Sequence, residues 1–70
     1  METKDILRNE REKRNLTQKQ VAEYLHISRE AYTVYETGKN TITTENLIKL
    51  AELYNCTTDY LLGRQIKFQK

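Results

Sequence analysis

The sequence has no proline and no tryptophan, and only two glycines, one cysteine and one histidine in 70 residues. Each shortage removes a class of protein. With Cys56 alone, no internal disulfide can form, and His26 beside it cannot complete a Cys/His cluster of zinc spacing, so no metal is expected. No apolar run approaches the roughly 20 residues that span a membrane, and no signal-peptide pattern opens the chain. A cytoplasmic protein is the default expectation. A chain this short buries only ~60% of its unfolded surface, which leaves little room for a deep cavity. Oligomerisation is the support that remains open to a small fold without disulfide or metal.

Enzyme chemistry finds nothing to work with. There is no nucleophile–base pair, no phosphate-cradling glycine loop and no carboxylate pair at a plausible spacing. No cofactor and no small-molecule ligand are expected. The net charge of +2 leans towards a polyanionic partner, but only weakly, so the position of the charges matters more than their sum.

What is present is a succession of helix signals, about one every 10 to 15 residues. A first helix is expected from Thr3 to about Lys13, with Thr3 as its cap, Asp5 in its first turn, and Arg11, Lys13 and Arg14 near its carboxyl end, where cations suit the helix dipole. Asn15, which tolerates positive φ, ends it. Thr17-Gln18-Lys19-Gln20 fits a capping box and opens a second helix with Val21, Ala22 and Leu25 on one stripe. It stops at His26, a residue type enriched at positive φ. Ser28 caps a third helix that runs to about Thr37 and ends at Gly38. After a loop from Lys39 to Ile42, Thr43 or Thr44 opens a fourth helix with Leu47, Leu50, Ala51 and Tyr54 at core spacing. Thr57 caps a short fifth helix stopped by Gly63. The expected class is all-α: one compact domain over residues 1–63 and a short tail over 64–70.

The third helix is the most informative. At 100° per residue, Arg29, Glu30, Thr33 and Val34 fall within roughly 140° of arc, and Ala31, Tyr32 and Tyr35 fall on the opposite side. The second group reads as a buried face. Such a helix, joined to a short one by a tight turn, forms a helix-turn-helix. Arginine can bridge guanine O6 and N7, glutamate can accept from cytosine N4, and threonine or valine can touch a thymine methyl. The outward face can therefore read base edges, although an ordinary solvated face remains open at this point.

From Leu7 to Leu62 the sequence resembles the phage-repressor (Cro/repressor, or XRE-type) helix-turn-helix family. The resemblance is carried by Leu7-Arg8-Asn9-Glu10-Arg11, Leu16-Thr17-Gln18, Val21-Ala22, Leu25, Ile27-Ser28-Arg29, Tyr35-Glu36-Thr37-Gly38-Lys39, Leu47, Leu50-Ala51 and Asp59-Tyr60-Leu61-Leu62-Gly63. No piece is specific alone; their spacing over the whole array is. Two departures stand out: Asn15 and His26 stand where the family usually has glycine.

The resemblance implies roles. Thr17 and Gln18 match positions at which the second helix meets a phosphate. Arg11 and Glu36 match a partly buried salt bridge between the first helix and the end of the third. Arg29, Glu30 and Val34 match base-reading positions, with Ser28 and Thr33 flanking them. Thr37, Lys39 and Asn40 match a loop along the DNA backbone, a contact that fixes register without reading sequence. Glu30 is expected either to accept from a cytosine or, preferably, to pair with Arg29 and orient it. Arg8, Lys13, Arg14 and Lys19 read mostly as solvated surface. Cys56 reads as a buried, inert thiol, and His26 as a turn former. Tyr24, Tyr32, Tyr35, Tyr54 and Tyr60 read as packing aromatics.

The expected function is that of a transcriptional regulator, by default a repressor, binding a palindromic operator in double-stranded DNA as a homodimer. Tyr60, Leu61 and Leu62 are the expected dimer interface, extended by Ile66 and Phe68. The rival is a protein-interaction module of the same fold, such as an antitoxin or anti-repressor, which would not need Gln18, Arg29 or Lys39.

Overall fold

The computed structural model describes residues 1–64. Its elements are α1 (Thr3–Lys13), α2 (Gln18–Leu25), α3 (Arg29–Thr37), α4 (Thr44–Tyr54) and α5 (Thr58–Leu61), with no strand among the described residues. The all-α class and the placement of the helix-turn-helix at α2 and α3 agree with the sequence reading.

Local chemistry sets both ends of most helices. Thr17, Ser28, Thr43 and Thr57 each stand in extended backbone and accept a hydrogen bond from the amide three residues on, which satisfies an otherwise orphan donor. At Thr17 the box is complete, because its amide also donates to Gln20 Oε1 at 2.8 Å. The start of α1 departs from expectation. Glu2, not Thr3, is the N-cap, with φ −83° and ψ 157° and no side-chain cap bond. Its carbonyl already accepts from the amides of Asp5 and Ile6, which draws Thr3 into the first turn.

The scarcity of glycine reappears at the carboxyl ends. Asn15, His26, Asn55 and Gly63 follow α1, α2, α4 and α5 with φ of 57°, 61°, 55° and 77°. In each case that residue's amide bonds the carbonyl three back, and the next amide reaches five back, as in His26 to Glu23 and Ile27 to Ala22. This is the Schellman arrangement, and three of its four left-handed positions are filled here by residues other than glycine.

The core gathers Ile6 and Leu7 from α1, Val21, Ala22 and Leu25 from α2, Tyr32 from α3, Ile42 from the following loop, Leu47, Leu50, Ala51 and Tyr54 from α4, and Leu61 from α5. Helix α1 packs on α3 and α5, α2 on α3 and α4, and α4 on α5. Burying each of the larger side chains contributes ~1.5–3 kcal/mol.

Two expectations are corrected. Leu61 is 0% exposed and belongs to the core, so it cannot form a dimer surface, whereas its neighbours Tyr60 and Leu62 are 43% and 40% exposed. In a helix of a single turn, spacing cannot tell which of two adjacent leucines points inward. Tyr24 is exposed as well, so only some of the tyrosines are core. Ile66 and Phe68 lie outside the described residues.

Candidate nucleic-acid interface

The site is organised around a buried carboxylate. Glu36, in the last turn of α3, has a side chain only 3% exposed. Its Oε2 accepts from Arg11 Nε at 2.7 Å and from the Tyr32 hydroxyl at 2.5 Å. Its Oε1 accepts from Arg11 Nη2 and from Gln18 Nε2, both at 3.1 Å. A carboxylate offers about four acceptor positions, and all are filled. Burial pushes the Glu36 carboxyl up, but the bonds from Arg11, Tyr32 and Gln18 outweigh it and hold the group below its ordinary value. Arg11 also donates to the Leu16 carbonyl at 2.8 Å. One side chain thus ties α1, the start of α2 and the end of α3 together, which sets the angle at which α3 is presented.

Around this anchor, α2 and α3 are joined by residues 26–28, with His26 making the turn at φ 61°. Ser28, Arg29 and Glu30 are exposed at the amino end of α3, with Val34 half-buried one turn later. The Ser28 hydroxyl is occupied in capping the Ala31 amide at 3.0 Å. Arg29 and Glu30 enter no ion pair among the described residues. The expected pairing of Glu30 with Arg29 is therefore absent, because consecutive helical residues do not face each other. An open groove lined by Arg11, Leu16, Thr17, Gln18, Lys19 and Arg29 joins the amino end of α2 to that of α3. Both helix ends present partial positive charge, which suits an anion.

Thr33 is half-buried rather than displayed, with its hydroxyl 2.9 Å from Gln18 Oε1 and 2.8 Å from the Arg29 carbonyl. Beyond α3, Thr37, Lys39 and Asn40 are exposed. The Thr37 hydroxyl turns back to the Val34 carbonyl at 3.2 Å, and the Asn40 amide reaches the same carbonyl at 3.2 Å, which folds the loop onto the end of α3.

A second polar cluster escaped the sequence reading. Glu10, 4% exposed, accepts from Arg14 at 2.7 Å, from Lys13 at 3.1 Å and from the Tyr60 hydroxyl at 2.5 Å. Burial opposes its charge, yet the Tyr60, Arg14 and Lys13 bonds prevail and bring its carboxyl down to about 2. Arg14 is exposed, as expected, but it also donates to the Tyr54 carbonyl at 2.8 Å and lies 4.7 Å from the Tyr54 ring centroid, which closes the carboxyl end of α4. The spacing of Glu10, Lys13 and Arg14 was a usable signal; the arrival of Tyr60 from the far end of the chain had none. Cys56 is half-buried, and burial pushes its thiol up, away from the reactive thiolate. Among the described residues no group of side chains could hold a metal ion, and no helix is long and apolar enough to cross a membrane.

The Helix-turn-helix family profile matches residues 7–61. The chain belongs to the helix-turn-helix family. Among curated relatives, the cryptic phage CTXphi transcriptional repressor RstR of Vibrio cholerae is 41% identical over 91% of this chain and 57% of its own length. The HTH-type transcriptional regulator ImmR of Bacillus subtilis is 43% identical over 83% of this chain and 46% of its own length. The chain thus spans about half the length of these relatives. Among solved structures, the P22 c2 repressor in complex with a synthetic operator superposes with a TM-score of 0.84 at 25% identity, over 93% of this chain and 98% of that one. Helices α2 and α3 are therefore the family's helix-turn-helix pair, and Arg29, Glu30 and Val34 lie on its second helix.

Proposed function

We propose that this helix-turn-helix chain is a sequence-specific regulator of transcription, a repressor, that reads the major groove of double-stranded DNA with α3. The observation that carries the reading is the exposed Arg29–Glu30 edge of α3, free of ion pairs among the described residues, with Arg29 set beside the positive amino end of α2 in one open groove. An arginine kept free of internal ion pairs at the start of such a helix is available to guanine O6 and N7. Glu30, equally free, is suited to a cytosine amino group. Ser28 and Val34 flank them, and Thr17, Gln18, Thr37, Lys39 and Asn40 contact the phosphates. That a structural neighbour is a repressor in complex with a synthetic operator supports the DNA-binding reading. A role on DNA places the protein in the cytoplasm.

One domain reads few base pairs, so a homodimer on a palindrome is part of the proposal, with recognition helices roughly 34 Å apart. Tyr60 and Leu62 are the apolar side chains that α5 and its end leave exposed, and Ile48 on the adjoining α4 is 46% exposed. Sedimentation at tens of micromolar, alone and with DNA, reads the dimer; a monomer under both conditions counts against it.

The test of the whole reading is selection of duplexes from a random pool, followed by binding of the enriched site at two salt concentrations. A palindrome with a steep salt slope is the expected result. Arg29→Ala should then relax preference at one base position of each half-site, and Lys39→Ala should weaken all sites alike. Weak binding that is equal for all sequences would remove the DNA-reading role and leave a protein partner as the target.

A further inference from the structure

Thr33 lies on the arc of α3 from which bases would be read, yet its hydroxyl faces two acceptors, Gln18 Oε1 at 2.9 Å and the Arg29 carbonyl at 2.8 Å. A hydroxyl has one proton, and both neighbours compete for it. Nothing is left to donate to guanine O6 or N7. Gln18, in turn, is held at both ends. A carboxylate only accepts, so the atom it places 3.1 Å from Glu36 Oε1 must be the amide nitrogen, and the oxygen then necessarily faces Thr33. Glu36 cannot turn away to release it, because its other acceptor positions are taken by Arg11 and Tyr32. The Gln18 amide therefore has a single orientation, with one N–H given to Glu36 and the other unused, in the groove it shares with Thr17, Lys19 and Arg29.

We infer that Thr33 is a positioning residue: by donating to the Gln18 oxygen it locks the Gln18 amide, with Glu36, so that the spare N–H is held for a phosphate oxygen, and the Thr33 hydroxyl itself donates to no base. The inference rests on the DNA-binding reading above and reassigns one of the residues the sequence placed among the base contacts. Without the Thr33 hydroxyl the Gln18 oxygen loses its internal partner, and the amide can turn from Glu36 and present that oxygen to the phosphate, where two acceptors repel.

The experiment compares Thr33→Val, Thr33→Ser and Gln18→Ala with the wild-type protein. Each is titrated against the selected operator and against duplexes carrying every single-base change in one half-site. Valine preserves the shape of threonine and removes the hydroxyl; serine keeps the hydroxyl. Thr33→Val should weaken binding about three- to tenfold on every duplex alike, the range of one ordinary hydrogen bond, because the amide is misplaced and not removed. The rank order of bases should be unchanged, and so should the salt slope, because no cation is lost. Thr33→Ser should bind as the wild type does. Added to Gln18→Ala, Thr33→Val should cost nothing more. In the free protein, the side-chain amide shifts of Gln18 should stay at their wild-type values in the serine variant and move towards those of a solvent-exposed glutamine in the valine variant. A change in base preference confined to one position, or losses from Thr33→Val and Gln18→Ala that multiply, would overturn the positioning role while leaving the DNA reading intact. Failure of the wild type to prefer any duplex would overturn both.

Discussion

Removing the Glu36 carboxylate is the sharpest probe of how this domain holds together. Glu36→Ala strips four hydrogen bonds at once and leaves Arg11, whose side chain is 11% exposed, without its partner. Breaking a buried ion pair from one side costs about 3–5 kcal/mol. Arg11 keeps the Leu16 carbonyl at 2.8 Å and has Glu12 at 3.8 Å, so the lower end applies to it. The Tyr32 hydroxyl is a separate loss. Tyr32 is 0% exposed, and an orphaned buried hydroxyl adds about 1–3 kcal/mol. The sum, about 4–6 kcal/mol, is comparable to the whole stability of a domain of this size, about 4–10 kcal/mol. Each kcal/mol moves Tm by about 4–8 °C in a small domain. Thermal melts followed by far-UV circular dichroism should show Glu36→Ala melting at least about 15 °C below wild type, or already unfolded at room temperature. The double variant Arg11→Met, Glu36→Leu leaves no charge alone and should be less destabilised than Glu36→Ala, although more of the site has changed. A Glu36→Ala melt within about 4 °C of wild type, less than 1 kcal/mol by the same conversion, would refute the account of Glu36 as the anchor of the three helices.

Glu10 makes a prediction in pH. Its folded value of about 2 lies below its ordinary 4.5, so the charged form is favoured by folding. The resulting stability is fully present above about pH 4.5 and fades as pH falls towards 2, about 3 kcal/mol in all. Glu10→Gln should lower Tm at neutral pH and flatten its fall through that window; parallel acid profiles for variant and wild type would contradict the assignment. At His26, a residue with a β-carbon holds φ 61°, so His26→Gly should raise Tm by a few degrees, about 0.5–1 kcal/mol, despite the added freedom of the unfolded chain. Gly63→Ala should do the reverse, by about 1–2 kcal/mol, because φ is 77° and the new methyl would run into the Met1 carbonyl. Differential scanning calorimetry of the pair checks both signs.

The boundaries of the helices were legible because they depend on atoms close in sequence. Thr17, Ser28, Thr43 and Thr57 cap through a side chain that reaches only a few residues, and Asn15 and His26 declare left-handed turns by their own preference for positive φ. The same locality made the Arg29–Glu30 edge visible, since an outward face follows from 100° steps alone. Locality also misled at Thr3, which looked like a cap that Glu2 provides, and at Arg14 it showed the exposure but not the contact with Tyr54.

What only the tertiary structure decided is which side chains meet across helices. Tyr60 reaches Glu10, Arg14 covers Tyr54, Leu61 turns inward while Leu62 does not, and Gln18 is caught between Glu36 and Thr33. None of these follows from spacing, because each depends on the angle and height at which one helix crosses another. Those are set by how the core side chains of several helices fill one common volume. The sequence by itself determined a five-helix chain with an exposed Arg29–Glu30 edge on its third helix; packing determined which polar residues hold that helix in place and which are left exposed.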